Sequence, residues 1–153
     1  MAEFPVSDAN RAFETLLVRM TSAICSGNPD AAAACFTPEG LYHDGFYGEF
    51  RGRAEIARMV REFFFRDARD FEWKLSSAVS DGRIGYARYE FSYVSKIPAS
   101  EGRRVGFAGI SCCELEAGLI RRYGEIFERA PVLAKLGFPD ERILKSVKRW
   151  AGG

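Results

Sequence analysis

From Phe71 onward the chain alternates apolar and polar residues through four successive runs, and this period of two fixes the second half as sheet. The runs are Phe71–Val79, Ile84–Ile97, Val105–Leu115 and Leu119–Glu128. Between them stand Ser80-Asp81-Gly82-Arg83, the loop Pro98–Arg103 and the tight turn Glu116-Ala117-Gly118, so the strands form an antiparallel meander.

The first half has the helical period instead. Ser7 is placed to cap a helix carrying Ala9, Phe13, Leu16, Leu17, Met20 and Ile24 on one face, ended by Gly27. Asn28-Pro29-Asp30 starts a short helix over Ala31–Phe36. A strand Leu41–Asp44, a glycine- and aromatic-rich loop Gly45–Gly52 and a helix from Ala54 to about Arg66 follow, the last burying Ile56, Met59, Val60, Phe63 and Phe64. After Pro131 comes a short helix ended by Gly137, then an amphipathic helix Asp140–Trp150 with Ile143, Leu144, Val147 and Trp150 on one side. Its cations Arg142, Lys145, Lys148 and Arg149 read as a solvated face, with Trp150 docking the helix.

Helices first and a meander after predict an α+β fold: helices packed on one face of a strongly bent mixed or antiparallel sheet, a cone with a cavity, plus an extra C-terminal helix. The 153 residues read as a single domain with its core over about 8–130 and a helical extension over 131–150. A net charge of +1 and no basic stretch interleaved with stacking aromatics speak against nucleic acid as a partner. No apolar run approaches membrane-spanning length, and Met1–Pro5 lacks the basic and apolar regions of a leader, so the expectation is a cytoplasmic protein without a membrane role. Cys25, Cys35, Cys112 and Cys113 read as reduced, and the single histidine, His43, leaves little for a zinc site.

Charged residues inside such strands need a reason. Residues i and i+2 share a strand face, which sets Arg88 beside Glu90 and Tyr42 beside Asp44 and turns His43 away. If those faces and Glu125 line one cavity, three carboxylates near one arginine cannot all ionise cheaply, and one keeps its proton at neutral pH. Glu90 as acid, Glu125 as base and Arg88 between them follow from that logic. The same residues also suit a structural cross-strand ion pair. The aromatics Phe63, Phe64, Phe65, Phe71, Trp73, Phe91, Tyr93 and Phe107 read as core or interface, some giving an apolar pocket lining.

Three stretches resemble the nuclear transport factor 2-like superfamily in its SnoaL-like branch, within the cystatin-like α+β folds. They are Ser26–Phe36, Phe50–Ile56, and Gly118-Leu119-Ile120 leading to Glu125-Ile126-Phe127-Glu128. Among that branch, limonene epoxide hydrolase-like enzymes match the charged set best. The resemblance implies a water held by Tyr42 and Asp44, activated by Glu125, with Glu90 as acid and Arg88 bridging both carboxylates, and no metal or organic cofactor. The ketosteroid isomerase-like class instead implies Asp44 as base, with its oxyanion partners falling at Met20 and Ser111. The functions implied are addition of water to an epoxide-type substrate, or an isomerase, dehydratase or cyclase using Asp44. A non-catalytic small-molecule-binding protein stands beside them. The ligand expected is a small apolar molecule of terpenoid, steroid or polyketide type, and the outer sheet face is expected to form a homodimer.

Overall fold

The computed structural model describes residues 6–152; Met1–Pro5, read above for leader character, and Gly153 lie outside the described residues. The first helix, α1 (Asp8–Cys25), is capped by Ser7, whose side chain accepts from the Asn10 amide at 3.1 Å. Asn28 caps α2 (Pro29–Ala33) in the same way at 3.2 Å. Both caps satisfy amides that the first helical turn leaves without partners. A continuous helical rod follows the next two strands: α3 (Arg53–Arg58), a π-helical stretch Met59–Phe64, and the short α4 (Phe65–Asp67).

Six strands make one sheet in the order β2-β1-β6-β5-β4-β3. They are β1 (Phe36–Asp44), β2 (Gly48–Arg51), β3 (Ala68–Ser80), β4 (Ile84–Ser95), β5 (Arg104–Glu116) and β6 (Leu119–Ile126). All neighbours are antiparallel except β1 and β6, which run parallel with Tyr42 opposite Tyr123. The expected α+β architecture, a curved mixed sheet with helices on one side, is the observed one.

Differences are local. Phe36 starts β1 instead of ending α2, and β2 lies inside the expected loop. Pro38 and Gly40 hide the first part of β1, because they break ladder pairing; its register with β6 shifts between Phe36 and Leu41. Irregular pairing also marks β3, where Asp70 and Ser77 take φ of 52° and 53° beside the two register shifts, bending the strand around the core.

The helical side of the sheet holds the core: Phe13, Leu17, Met20 and Ile24 of α1 meet Ile56, Met59 and Val60 of the rod and Tyr42, Ala87 and Tyr123 of the strands. Gly85 makes that approach possible, since a Cβ there would stand 2.7 Å from the Phe13 ring. The tail adds α5 (Arg129–Lys135) and α6 (Asp140–Trp150). Val132 of α5 and Leu136 at its C-cap bury themselves against Val105, but α6 has no buried residue. Its expected apolar side does not form an inner face: Leu144 is 54% exposed, while Trp150 docks under the Arg129 guanidinium at 4.1 Å. All four cysteines are free thiols, with Cys113 buried on the inner face and Cys112 on the outer.

Candidate functional site

Glu125 enters the cone from β6 two residues after Tyr123, so both project from the same face. The Tyr123 hydroxyl donates to Glu125 Oε1 at 2.8 Å, and the Tyr89 hydroxyl, from β4, donates to Oε2 at 3.1 Å. Ser111 on β5 pairs with the Tyr123 hydroxyl at 2.9 Å and completes a buried polar chain across three strands. Gly109 leaves room for it: a Cβ there would stand 2.6 Å from the Tyr89 oxygen.

Withdrawal from water opposes charge on a carboxylate, while donors aimed at it favour charge. Burial pushes the Glu125 carboxyl up to about 7, the charge of Asp44 adds to the rise, and the Tyr123, Tyr89 and Tyr42 hydroxyls moderate it. Asp44 stands at the end of β1 in the same cavity. Its Oδ1 accepts from the Phe46 and Tyr47 amides at 2.8 and 2.9 Å, which closes the β1–β2 turn. Burial raises the Asp44 carboxyl, and those two amides pull it back towards charge. Two carboxylates therefore share one apolar enclosure in different settings, Asp44 anchored by backbone amides and Glu125 by phenols.

The cavity encloses about 500 Å³. Its walls are largely aromatic, including Phe64, Phe71, Trp73, Phe91, Phe107 and Phe127, while Tyr42 and Glu125 lie at its polar end. Phe107 and Phe127 stack at 4.5 Å between centroids, and Trp73 leans on Phe91 at 4.9 Å. Tyr42 is fully packed, its ring 4.7 Å from that of Tyr123. Such walls suit a ring-bearing apolar molecule. No group of three or more His, Cys, Asp or Glu side chains arranged to hold a metal ion occurs among the described residues.

Of the five residues expected at one site, the structure brings together three: Tyr42, Asp44 and Glu125. Arg88 and Glu90 share a face as expected, but it is the outer, solvent face of β4. Strand parity gives the reason. The inner set is Gly85, Ala87, Tyr89, Phe91 and Tyr93, and the outer one Tyr86, Arg88, Glu90 and Ser92, the apolar-in, polar-out division of a sheet with one wet side. No bridge from Arg88 to Glu125 forms, and Glu90 stands beside Lys74 and Ala108 on neighbouring strands.

The residues missed in the sequence are Tyr89, Tyr123 and Gly109. Tyr123 was legible by the i, i+2 rule that placed Asp44 beside Tyr42. Tyr89 was legible from the apolar alternation of β4. Of the two isomerase-like positions, Met20 is buried core, whereas Ser111 holds the Tyr123 hydroxyl.

A helix-backed curved sheet around a polar-ended apolar cavity defines the nuclear transport factor 2-like class. Within it, the SnoaL-like domain model matches residues 17–123, and the chain belongs to that family. Similar solved structures share the fold. TsrD from Streptomyces laurentii is 21% identical with a TM-score of 0.70, covering 87% of this chain and 98% of its own. A provisionally assigned SnoaL-like polyketide cyclase from Jannaschia sp. CCS1 is 12% identical with a TM-score of 0.73, covering 90% and 99%. An LEH-like epoxide hydrolase from M. tuberculosis is 19% identical with a TM-score of 0.64, covering 91% and 93%. No curated protein matches the sequence. No helix among the described residues is long and apolar enough to cross a membrane.

Proposed function

We propose that this SnoaL-like domain is a cofactor-independent acid–base catalyst that moves a proton on a small, ring-bearing apolar substrate, in the manner of an isomerase or cyclase. The observation that carries the reading is the Glu125 carboxyl, held by the Tyr123 and Tyr89 hydroxyls inside an apolar cavity whose exclusion of water pushes it up to about 7. A group with that affinity for a proton is charged in part of the population and protonated in the rest at neutral pH, so it both takes and returns protons. Burial raises the Asp44 carboxyl while its two backbone donors pull it back towards charge, and charge on Asp44 favours the proton on Glu125. In the forward step a carboxylate oxygen of Glu125 takes a proton from a carbon next to a polarising group. The electron pair moves into the substrate's π system, and the same carboxyl returns the proton at a neighbouring atom.

Glu125, the base expected for addition of water, thus takes the base's part in the isomerase or cyclase reading as well, in place of the Asp44 expected there, whose Oδ1 is committed to the turn. Addition of water to an epoxide-type substrate is the second reading. It keeps Tyr42, Asp44 and Glu125 in one cavity and is favoured by that grouping, but Asp44 takes the acid's part because Arg88 and Glu90 lie outside.

The test is ring opening of 5-nitrobenzisoxazole, in which a base removes the ring C–H proton, the N–O bond breaks and a coloured phenolate leaves. Catalysis above buffer, lost in Glu125→Gln and kept in Asp44→Asn, supports the first reading. Turnover of styrene oxide to its diol without ring opening of the isoxazole selects the second. Neither reaction above buffer leaves a binding protein.

A further inference from the structure

Helix α6 follows the SnoaL-like match and lies over the mouth of the cavity. The side chains it contributes to the lining are Arg142, Ser146, Arg149 and Trp150. Their spacing of four, three and one residues puts them on one helical face. The solvated basic face expected from the sequence is thus divided: Arg142 and Arg149 reach the cavity lining, while Lys145 and Lys148 lie off it and share with those arginines and Ser146 an outer groove along α6. Trp150 fixes the far end of α6 under Arg129, which donates to the Gly45 carbonyl at 3.1 Å, and Arg142 lies over the Phe138 ring at 4.3 Å.

The charge at the mouth is unbalanced. Arg66 is held by Asp67 at 2.8 Å, so those two cancel. Lys96 donates to the Phe65 carbonyl at 2.8 Å, and neither it nor Arg142 nor Arg149 has a carboxylate within ion-pairing distance among the described residues. Asp44 and Glu125 line the same cavity but pair with none of these cations. Ser146 lies about one turn from each arginine, roughly 4.5 to 6 Å along the axis. An anion opposite its hydroxyl is within reach of both long, fork-shaped donors.

Resting on the reading of the cavity as a site for an apolar molecule, we propose that the ligand is an amphipathic organic anion: a ring-bearing body against the aromatic walls, and a carboxylate at the mouth held by Arg142 and Arg149 on either side of Ser146. The two arginines select the ligand and set its direction of entry, body first towards Glu125, charged end outward.

The test compares 2-anthracenecarboxylate with its neutral amide by fluorescence titration at about pH 6, where an aromatic carboxylate is ionised and Glu125 is mostly protonated. The carboxylate binds about tenfold more tightly than the amide, and raising the salt from about 0.05 M to about 0.5 M removes most of that preference. The double variant Arg142→Gln/Arg149→Gln abolishes the preference without changing the amide's affinity. Lys145→Gln/Lys148→Gln, with the same change of net charge off the cavity wall, keeps it. Equal binding of the two probes by the wild type overturns the inference, as does an equal loss in the two double variants. Either result leaves the acid–base reading untouched, because that rests on Glu125 and on turnover. Failure of both probes to bind overturns this inference together with the apolar-ligand site beneath it.

Discussion

Tyr123 and Glu125, two residues apart on β6, are joined by a 2.8 Å hydrogen bond, and Ser111 ties the same tyrosine to β5 at 2.9 Å. A phenol that donates to a carboxylate favours its charged form. Tyr123→Phe therefore moves the Glu125 titration further above its already raised position and leaves the buried Ser111 hydroxyl without its partner. The loss in stability is about 1–3 kcal/mol, read from urea unfolding. An unchanged or lowered Glu125 midpoint contradicts this account of the network.

Glu125 also sets a pH dependence of stability. Its folded value lies above the ordinary 4.5, at about 7, so the folded state binds the extra proton through that window. Stability is then complete below about pH 4.5 and falls as pH rises towards 7, by about 3 kcal/mol in all at about 1.4 kcal/mol per pH unit. Glu125→Gln lacks this titration. The difference in unfolding free energy between variant and wild type should shift in the variant's favour by about that amount between pH 4 and pH 8, since the carboxylates outside the cavity cancel and only Asp44, which feels Glu125, modifies the size of the shift. A pH-independent difference shows that Glu125 titrates normally.

Arg88 and Glu90 supply the contrast. Both are exposed on the outer face of β4. In the separate protomer Arg88→Met costs about 1 kcal/mol or less, the scale of a surface charge, instead of the ~3–5 kcal/mol for breaking a buried pair. The variant also keeps wild-type turnover of any substrate found. A large loss at neutral pH, measured by urea unfolding, restores a bridging role for Arg88.

Much of the fold was legible because period is a local property. The helix caps at Ser7 and Asn28, the meander and the 140–150 helix all follow from spacing and turn chemistry. Two kinds of feature were not. Edge pairing such as β2 depends on what lies beside Gly48–Arg51, and four residues carry too little period to show it. Strand parity depends on which side the helices cover, and in β4 the charged residues drew attention to the face that Tyr89 does not share. The site was half visible: Tyr42, Asp44, Tyr89 and Glu125 by alternation, but Gly109 only through its cross-strand register with Tyr89. The part of α6 at the cavity was hidden too, because an amphipathic pattern does not tell which of two adjoining faces meets the body of the fold.

The outer sheet face bears on assembly. Ile110 and Ile126 stand opposite each other there, Ile126 being 67% exposed, with Ile84 and Tyr86 on the adjoining strand. Apolar side chains gathered on one sheet face mark a contact surface. We expect a homodimer through it, disrupted by Ile126→Asp, with sedimentation giving a dimer for the wild type and a monomer for the variant. A wild-type monomer at micromolar concentration contradicts the dimer.

Exchange of the Glu125 proton near neutrality inside the cavity is open to direct measurement. Isotope-edited infrared spectroscopy of the carboxyl stretch, with Glu125→Gln to assign the band, follows that proton directly as pH is varied. A protonated carboxyl band is expected that disappears with a midpoint of about 7 and is absent from the variant. A midpoint in the ordinary glutamate range, near 4.3, would contradict it.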